Sequence, residues 1–108
     1  MSAMILVLIP CRDKKEADRI GLALVKKRLA VCSGFIPKMS SVYWWPPRAK
    51  RLERGKNEVM VLAETRRDKL PAIERKVKRL HSYELPCILA IPLAAANKGY
   101  REWLNGEL

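Results

Sequence analysis

Met4-Ile-Leu-Val-Leu-Ile-Pro-Cys-Arg-Asp-Lys-Lys-Glu16 is the stretch that decides the fold. Its first six residues are apolar and rich in β-branched side chains, as in a strand covered on both faces. Pro10-Cys11-Arg12 ends the run. Asp13 then stands three residues before Glu16, the spacing of a capping box, so a helix begins at Lys14. Ala17, Ile20, Ala23, Leu24 and Val31 recur at helical spacing, which carries that helix to about Ala30. A buried strand leading directly into an amphipathic helix is the first half of a β-α-β unit.

Working outward, Val31–Ile36 and Val42–Trp45 read as one interrupted strand. A proline in such a run, here Pro37, marks a bulge or a sheet edge. Pro46–Lys56 is polar, with a Pro-Pro pair, and reads as a long hairpin connection. Glu58–Thr65 is the third strand. Leu70, Ile73, Val77 and Leu80 mark a second helix with Pro71 in its first turn, where a missing N–H costs nothing. Pro86–Leu93 is a fourth strand. Asn97–Leu104 is a short helix with Tyr100, Trp103 and Leu104 on one face. The order βαββαβ plus a C-terminal helix is the ferredoxin-like α+β arrangement. The length of 108 residues suits one domain, residues 1–108.

Composition narrows the function. Hydrophobic residues make up 49% and charged residues 31%, a globular composition. The run Met4–Ile9 is far below the ~20 residues of a membrane span and is not flanked as a secretory signal is. A non-membrane, cytoplasmic protein is therefore expected. Three cysteines without a CxxC spacing exclude a zinc ribbon and read as reduced thiols. Lys and Arg number 22 against 11 Asp and Glu, a net charge of +11 that suits anionic partners. Arg48, Lys50, Arg51, Arg54 and Lys56 form a candidate anion-binding cluster in the hairpin. The segment Arg66–Arg79 adds seven basic residues against Asp68 and Glu74. Nucleic-acid binding by these groups would be non-specific, because the first and third strands lack the stacking aromatics of an RNA-recognition sheet. No Gly-rich phosphate loop, G-x-S-x-G or H-E-x-x-H occurs, so no enzyme is expected.

Four segments, in order, resemble the CutA divalent-cation tolerance family. They are Lys27-Arg-Leu-Ala-Val-Cys32 with Ile36-Pro37, Ser41-Val-Tyr-Trp-Trp45, His81-Ser-Tyr-Glu-Leu-Pro86, which looks like that family's His-Pro-Tyr-Glu-Val-Pro, and Gly99-Tyr-Arg-Glu-Trp-Leu104, which looks like its closing Tyr-x-x-Trp-Leu. The resemblance implies a compact cytoplasmic homotrimer similar to the PII signalling proteins. It also implies a role in binding copper or another divalent cation, with no catalysed reaction. A metal site would draw on His81, Glu84 and Cys11. An inter-subunit pocket would draw on Tyr43, Trp45, Glu64 and Cys87. The chain departs from the family at Ile9, where some members carry a metal-binding cysteine, and at Leu80, Glu64 and Cys87; its hairpin is also longer. The alternatives are a basic anion-binding module and a PII-like signalling scaffold without metal.

From the residues alone, Cys11 lies beside Arg12 and just before a helix N-terminus. Both would lower its pKa. His81 closes the second helix, and Cys32 reads as a small core residue. Trp44 and Trp45, as strand neighbours, must face opposite sides.

Overall fold

The computed structural model describes residues 3–48 and 51–108. It contains β1 (Met4–Cys11), α1 (Lys14–Lys26), β2 (Cys32–Trp44), β3 (Leu52–Arg66), a 3-10 turn (Arg67–Lys69), α2 (Leu70–Leu80), β4 (Leu89–Pro92) and α3 (Lys98–Glu107). The four strands form one sheet in the order β2-β3-β1-β4, every neighbouring pair antiparallel. This is the ferredoxin-like α+β fold with a third helix appended.

The core follows from strict alternation in β1. Ile5, Val7, Ile9 and Cys11 point to one face and are fully buried there. They pack with Val59, Val61 and Ala63 of β3, with Ala17, Ile20 and Leu24 of α1, and with Ile73 and Val77 of α2. Leu6 and Leu8, on the opposite face, are only half-buried. The unbroken apolar run predicts cover on both faces, and within one chain the helices cover only one.

Several boundaries differ from the sequence expectation. Helix α1 ends at Lys26 rather than near Ala30. Leu29 N–H donates to Leu24 O at 2.9 Å and Arg28 N–H to Val25 O at 3.0 Å, a Schellman closure. Arg28 takes the left-handed position (φ 56°) usually given to glycine, so no glycine announces the stop. Strand β3 begins at Leu52, six residues before the expected Glu58, which shortens the hairpin connection to residues 45–51. Strand β4 spans only Leu89–Pro92, and Pro86 and Cys87 lie outside it. Cys32 is exposed rather than a core residue.

Pro37 marks both a bulge and an edge. Strand β2 is an outer strand, and its pairing with β3 slips by one residue between Ile36 and Met39. A second, opposite slip between Met39 and Ser41 restores the register. Lys38 (φ 58°) and Asn57 (φ 56°) sit in left-handed conformation at the two slips. On β3 the alternation breaks at the same level, and consecutive residues Glu58 and Val59 are both buried. Val59 is buried against the core, and Glu58, on the opposite face with Met60, is buried beneath Ser41 and Tyr83.

On α3 only Leu104 is fully buried, whereas Trp103 is 46% exposed. Leu104→Ala is expected to lower the unfolding free energy by about 2–5 kcal/mol in chemical denaturation, in the range of large-to-small core changes. Trp103→Ala should cost less. Equal losses would contradict the placement of this helix.

Candidate functional site

The end of β1, the start of α1 and the turn after α2 meet at one point. Asp13 caps α1, its Oδ1 accepting from Glu16 N–H at 2.9 Å. Glu16, itself 1% exposed, uses both carboxylate oxygens. Oε1 accepts from Arg12 N–H and Oε2 from Ser82 N–H, each at 2.8 Å. Burial alone would raise the pKa of Glu16. The hydrogen bonds from Ser82 and Arg12, with His81 nearby, outweigh it and hold the carboxyl below its ordinary value. Asp13 is likewise lowered, chiefly by the Glu16 N–H and then, against a small opposing desolvation, by Arg12.

His81 is the C-cap of α2, and its N–H donates to Val77 O at 2.8 Å. The imidazole is buried. Nδ1 accepts from Tyr83 N–H at 3.0 Å, so the ring proton is assigned to Nε2, which donates to Pro10 O at 2.8 Å. Nδ1 lies 3.7 Å from Glu16 Oε1. Cys11 completes the group, with donor atoms of Cys11, Glu16 and His81 all within 4.8 Å of one another. The Cys11 thiol is pushed up to about 12, first by burial and then by the Glu16 and Asp13 charges. This reverses the direction expected from Arg12 and the helix end. The Arg12 side chain turns outward to Asp13 at 3.4 Å, and the thiol faces carboxylates instead.

The donor set suits a soft or borderline cation: a sulfur, an imidazole nitrogen and a carboxylate oxygen. His81 is held as metal-binding imidazoles usually are, one N–H on a carbonyl and the other nitrogen free of a proton. At rest each donor is already hydrogen-bonded, and an entering cation would exchange with the Cys11 proton and the Tyr83 N–H. Of the three expected metal ligands, His81 and Cys11 come together. Glu84 does not join them; Glu16 takes its place.

Glu84 instead lines a neighbouring cavity of about 460 Å³. Three of the four residues named for an inter-subunit pocket, Tyr43, Trp45 and Cys87, line this cavity within one chain, together with Ser41, Glu58 and Tyr83. Trp45 faces the cavity while Trp44 is 62% exposed and does not line it, in keeping with alternation along a strand. Glu64 is not there. It lies farther along β3 and accepts a hydrogen bond from Tyr100 O–H. Glu58 occupies the acidic position instead, accepting from Ser41 O–H at 2.5 Å and from Tyr83 O–H at 2.7 Å. Burial, and then the Glu58 hydrogen bond, raise the Tyr83 phenol. The Tyr83 ring also lies against His81, with centroids 4.6 Å apart, so it joins the cavity to the cluster beneath it.

The hairpin cations Arg48, Arg51, Arg54 and Lys56 are exposed, and Arg51 pairs with Glu53 at 2.9 Å. Lys50 lies outside the described residues. Sequence reasoning missed Glu16 as a site residue because its capping-box spacing already explained it. It missed Glu58 because the groups that cover it, Ser41 and Tyr83, come from another strand and from the turn after α2.

A ferredoxin-like sheet with a donor cluster and an adjoining cavity at one end defines a small α+β protein equipped for binding. The family model described as CutA1 divalent ion tolerance protein matches residues 5–107, and the chain belongs to that family. The divalent-cation tolerance protein CutA of Thermus thermophilus is 33% identical over 105 residues, covering 97% of this chain and 96% of that protein. The CutA of Archaeoglobus fulgidus is 31% identical over 99 residues, 92% of each chain. Among solved structures, CutA1 from Oryza sativa superposes with a TM-score of 0.90 at 28% identity, covering 98% of this chain and 94% of that one. The names of these relatives state divalent-cation tolerance and no reaction. Among the described residues no helix is long and apolar enough to cross a membrane.

Glu16→Ala is expected to cost about 1–3 kcal/mol of stability, because two part-buried N–H groups lose a charged acceptor. Since Glu16 and Asp13 titrate lower when folded, their stabilising contribution is present above the ordinary carboxylate values of 4.5 and 3.8 and is lost as pH falls through the lower folded values. Denaturation of the wild type should therefore steepen below about pH 4.5, and the Glu16→Ala variant should lose part of that acid dependence.

Proposed function

We propose that this chain is a cytoplasmic homotrimer that binds a divalent or soft monovalent metal ion, copper or zinc, and catalyses no reaction. The observation that carries the metal reading is the Cys11–Glu16–His81 cluster, three donors of suitable kind within 4.8 Å. The family name supports the same chemistry. Cys11 and His81 would hold the cation, with Glu16 as the oxygen donor. The soft thiolate favours Cu(I) or Zn(II) over Mg(II) or Ca(II).

Assembly is supported by what one chain leaves uncovered. Phe35, Ile36, Val42, Trp44 and Leu52 on the long hairpin, and Leu89 and Ile91 on β4, are each more than 40% exposed. Strands β2 and β4 are both edges of the sheet. A long apolar edge in a stable soluble protein is normally covered by another chain. The number three follows from the family resemblance. Three unpaired cysteines favour a reducing compartment.

Titration of the metal-stripped protein with Zn(II), and with Cu(I) under reducing conditions, should give one site per chain. Cys11→Ser, a near-isosteric change, should weaken it measurably, because a soft thiolate is replaced by a hydroxyl that suits such cations poorly. His81→Ala should weaken it further. Binding indifferent to both substitutions would refute the cluster as the site. Light scattering should give three times the chain mass of 12.4 kDa, and Trp44→Glu should lower that mass.

A further inference from the structure

The cavity beside the cluster has a chemistry of its own. At its floor is the carboxylate of Glu58, in a residue only 4% exposed. Both oxygens are held by neutral hydroxyls, Ser41 at 2.5 Å and Tyr83 at 2.7 Å. Among the described residues no cationic side chain comes within 4 Å of it. That is unexpected in a chain with 22 basic residues against 11 acidic ones. A buried charge without a counter-ion is costly, and two hydroxyl bonds leave lone pairs of a carboxylate unused.

The walls are aromatic and apolar. Tyr43, Trp45 and Tyr83 present rings to the cavity, and Leu85 and Pro10 close it. Ring faces attract cations. Glu84 stands at the same cavity and is exposed, adding a second negative charge. The volume of about 460 Å³ lies within the range of small-molecule sites. A bare metal ion fits poorly. The only close donor group among the described residues is the Cys11 cluster, so the cavity's carboxylates and Cys87 thiol are not drawn together as a ligand set.

We propose that this cavity binds a small organic ammonium ion, its charge on Glu58 and its apolar body against Tyr43, Trp45 and Tyr83. The site is separate from the metal cluster and goes beyond the cation-tolerance reading. Glu58 enters it between Ser41 and Tyr83, which hold its two oxygens. Gly55 borders the same place: a Cβ there would press on the Glu58 carboxylate and come within 2.6 Å of Ser41 Oγ.

The test is calorimetric titration of the assembled full-length protein with benzylammonium and, separately, benzyl alcohol, a neutral molecule of the same shape. The ammonium is expected to bind about tenfold tighter or more, as hydrogen bonds to a charged group do. Glu58→Gln should abolish that preference. Ser41→Ala, which keeps the charge and removes one hydroxyl, should retain or increase it, and this variant keeps the test decisive if Glu58→Gln fails to fold. Cys11→Ser should leave ammonium binding unchanged while metal binding falls, which separates the two readings. Equal binding of both probes, no saturable binding of either because a partner chain fills the cavity, or a preference unchanged in Glu58→Gln would overturn the proposal.

Discussion

The Glu16 carboxylate holds the functional end of this protein together. One of its oxygens takes the N–H of Arg12, at the turn out of β1, and the other takes the N–H of Ser82, after α2. Two loops from distant parts of the sequence are thereby fixed to the first turn of one helix. The ion is buried, and a buried carboxylate is tolerable only when its lone pairs are met. Here backbone donors meet them, which costs no side-chain entropy. The position of His81, and through it of Tyr83, follows from this clasp. So does the unusual state of Cys11, a thiol placed beside an anion.

Tyr83 links two environments of different character. Its backbone N–H is spent on His81 Nδ1 and its hydroxyl on Glu58 Oε2. The ring between these ends separates a closed cluster of hydrogen-bonded donors from an open aromatic cavity. Pro10 is a second link, its carbonyl accepting from His81 Nε2 while the residue lines the cavity. The cluster and the cavity therefore share a wall of two residues, Tyr83 and Pro10.

Much of the fold is legible in the sequence because the signals are local. The Met4–Ile9 run, the Asp13–Glu16 spacing, Pro71 and the strand-helix order mark elements that form where they are expected. The errors fall where tertiary context overrides pattern. The segment Leu52–Asn57 looks like a loop because Glu53, Arg54 and Lys56 give it the polarity of one, yet a strand pair exposed on both faces tolerates charge. The stop of α1 carries no glycine because Arg28 takes the left-handed position, its side chain meeting Glu107 at 2.6 Å. The candidate site is less legible than the fold. Cys11 reads as a reactive thiol from its neighbours in sequence, whereas its pKa is governed by burial and by groups brought from elsewhere. Glu64 and Glu58 lie six residues apart on one face of the same strand, and only their place along it decides which of them reaches the cavity.

The two bulges in the β2–β3 pairing also bear on how the hairpin can change in evolution. Each inserts one residue on one strand, and together they leave the outer hairpin, from Ser41↔Gly55 to Trp44↔Leu52, in the same register as the inner half. A bulge sets two residues of one strand against one of the other, so the extra residue is absorbed where it stands and the ladder beyond it is unchanged. Losing either inserted residue alone would restore one-to-one pairing at that point, with Ile36↔Met60 and Ser41↔Gly55 still paired as they are. A residue gained or lost elsewhere on one strand of the paired hairpin has no bulge to absorb it and would turn every outer residue to the opposite face. Length changes in this hairpin should therefore fall at Lys38, at Asn57 or at the tip.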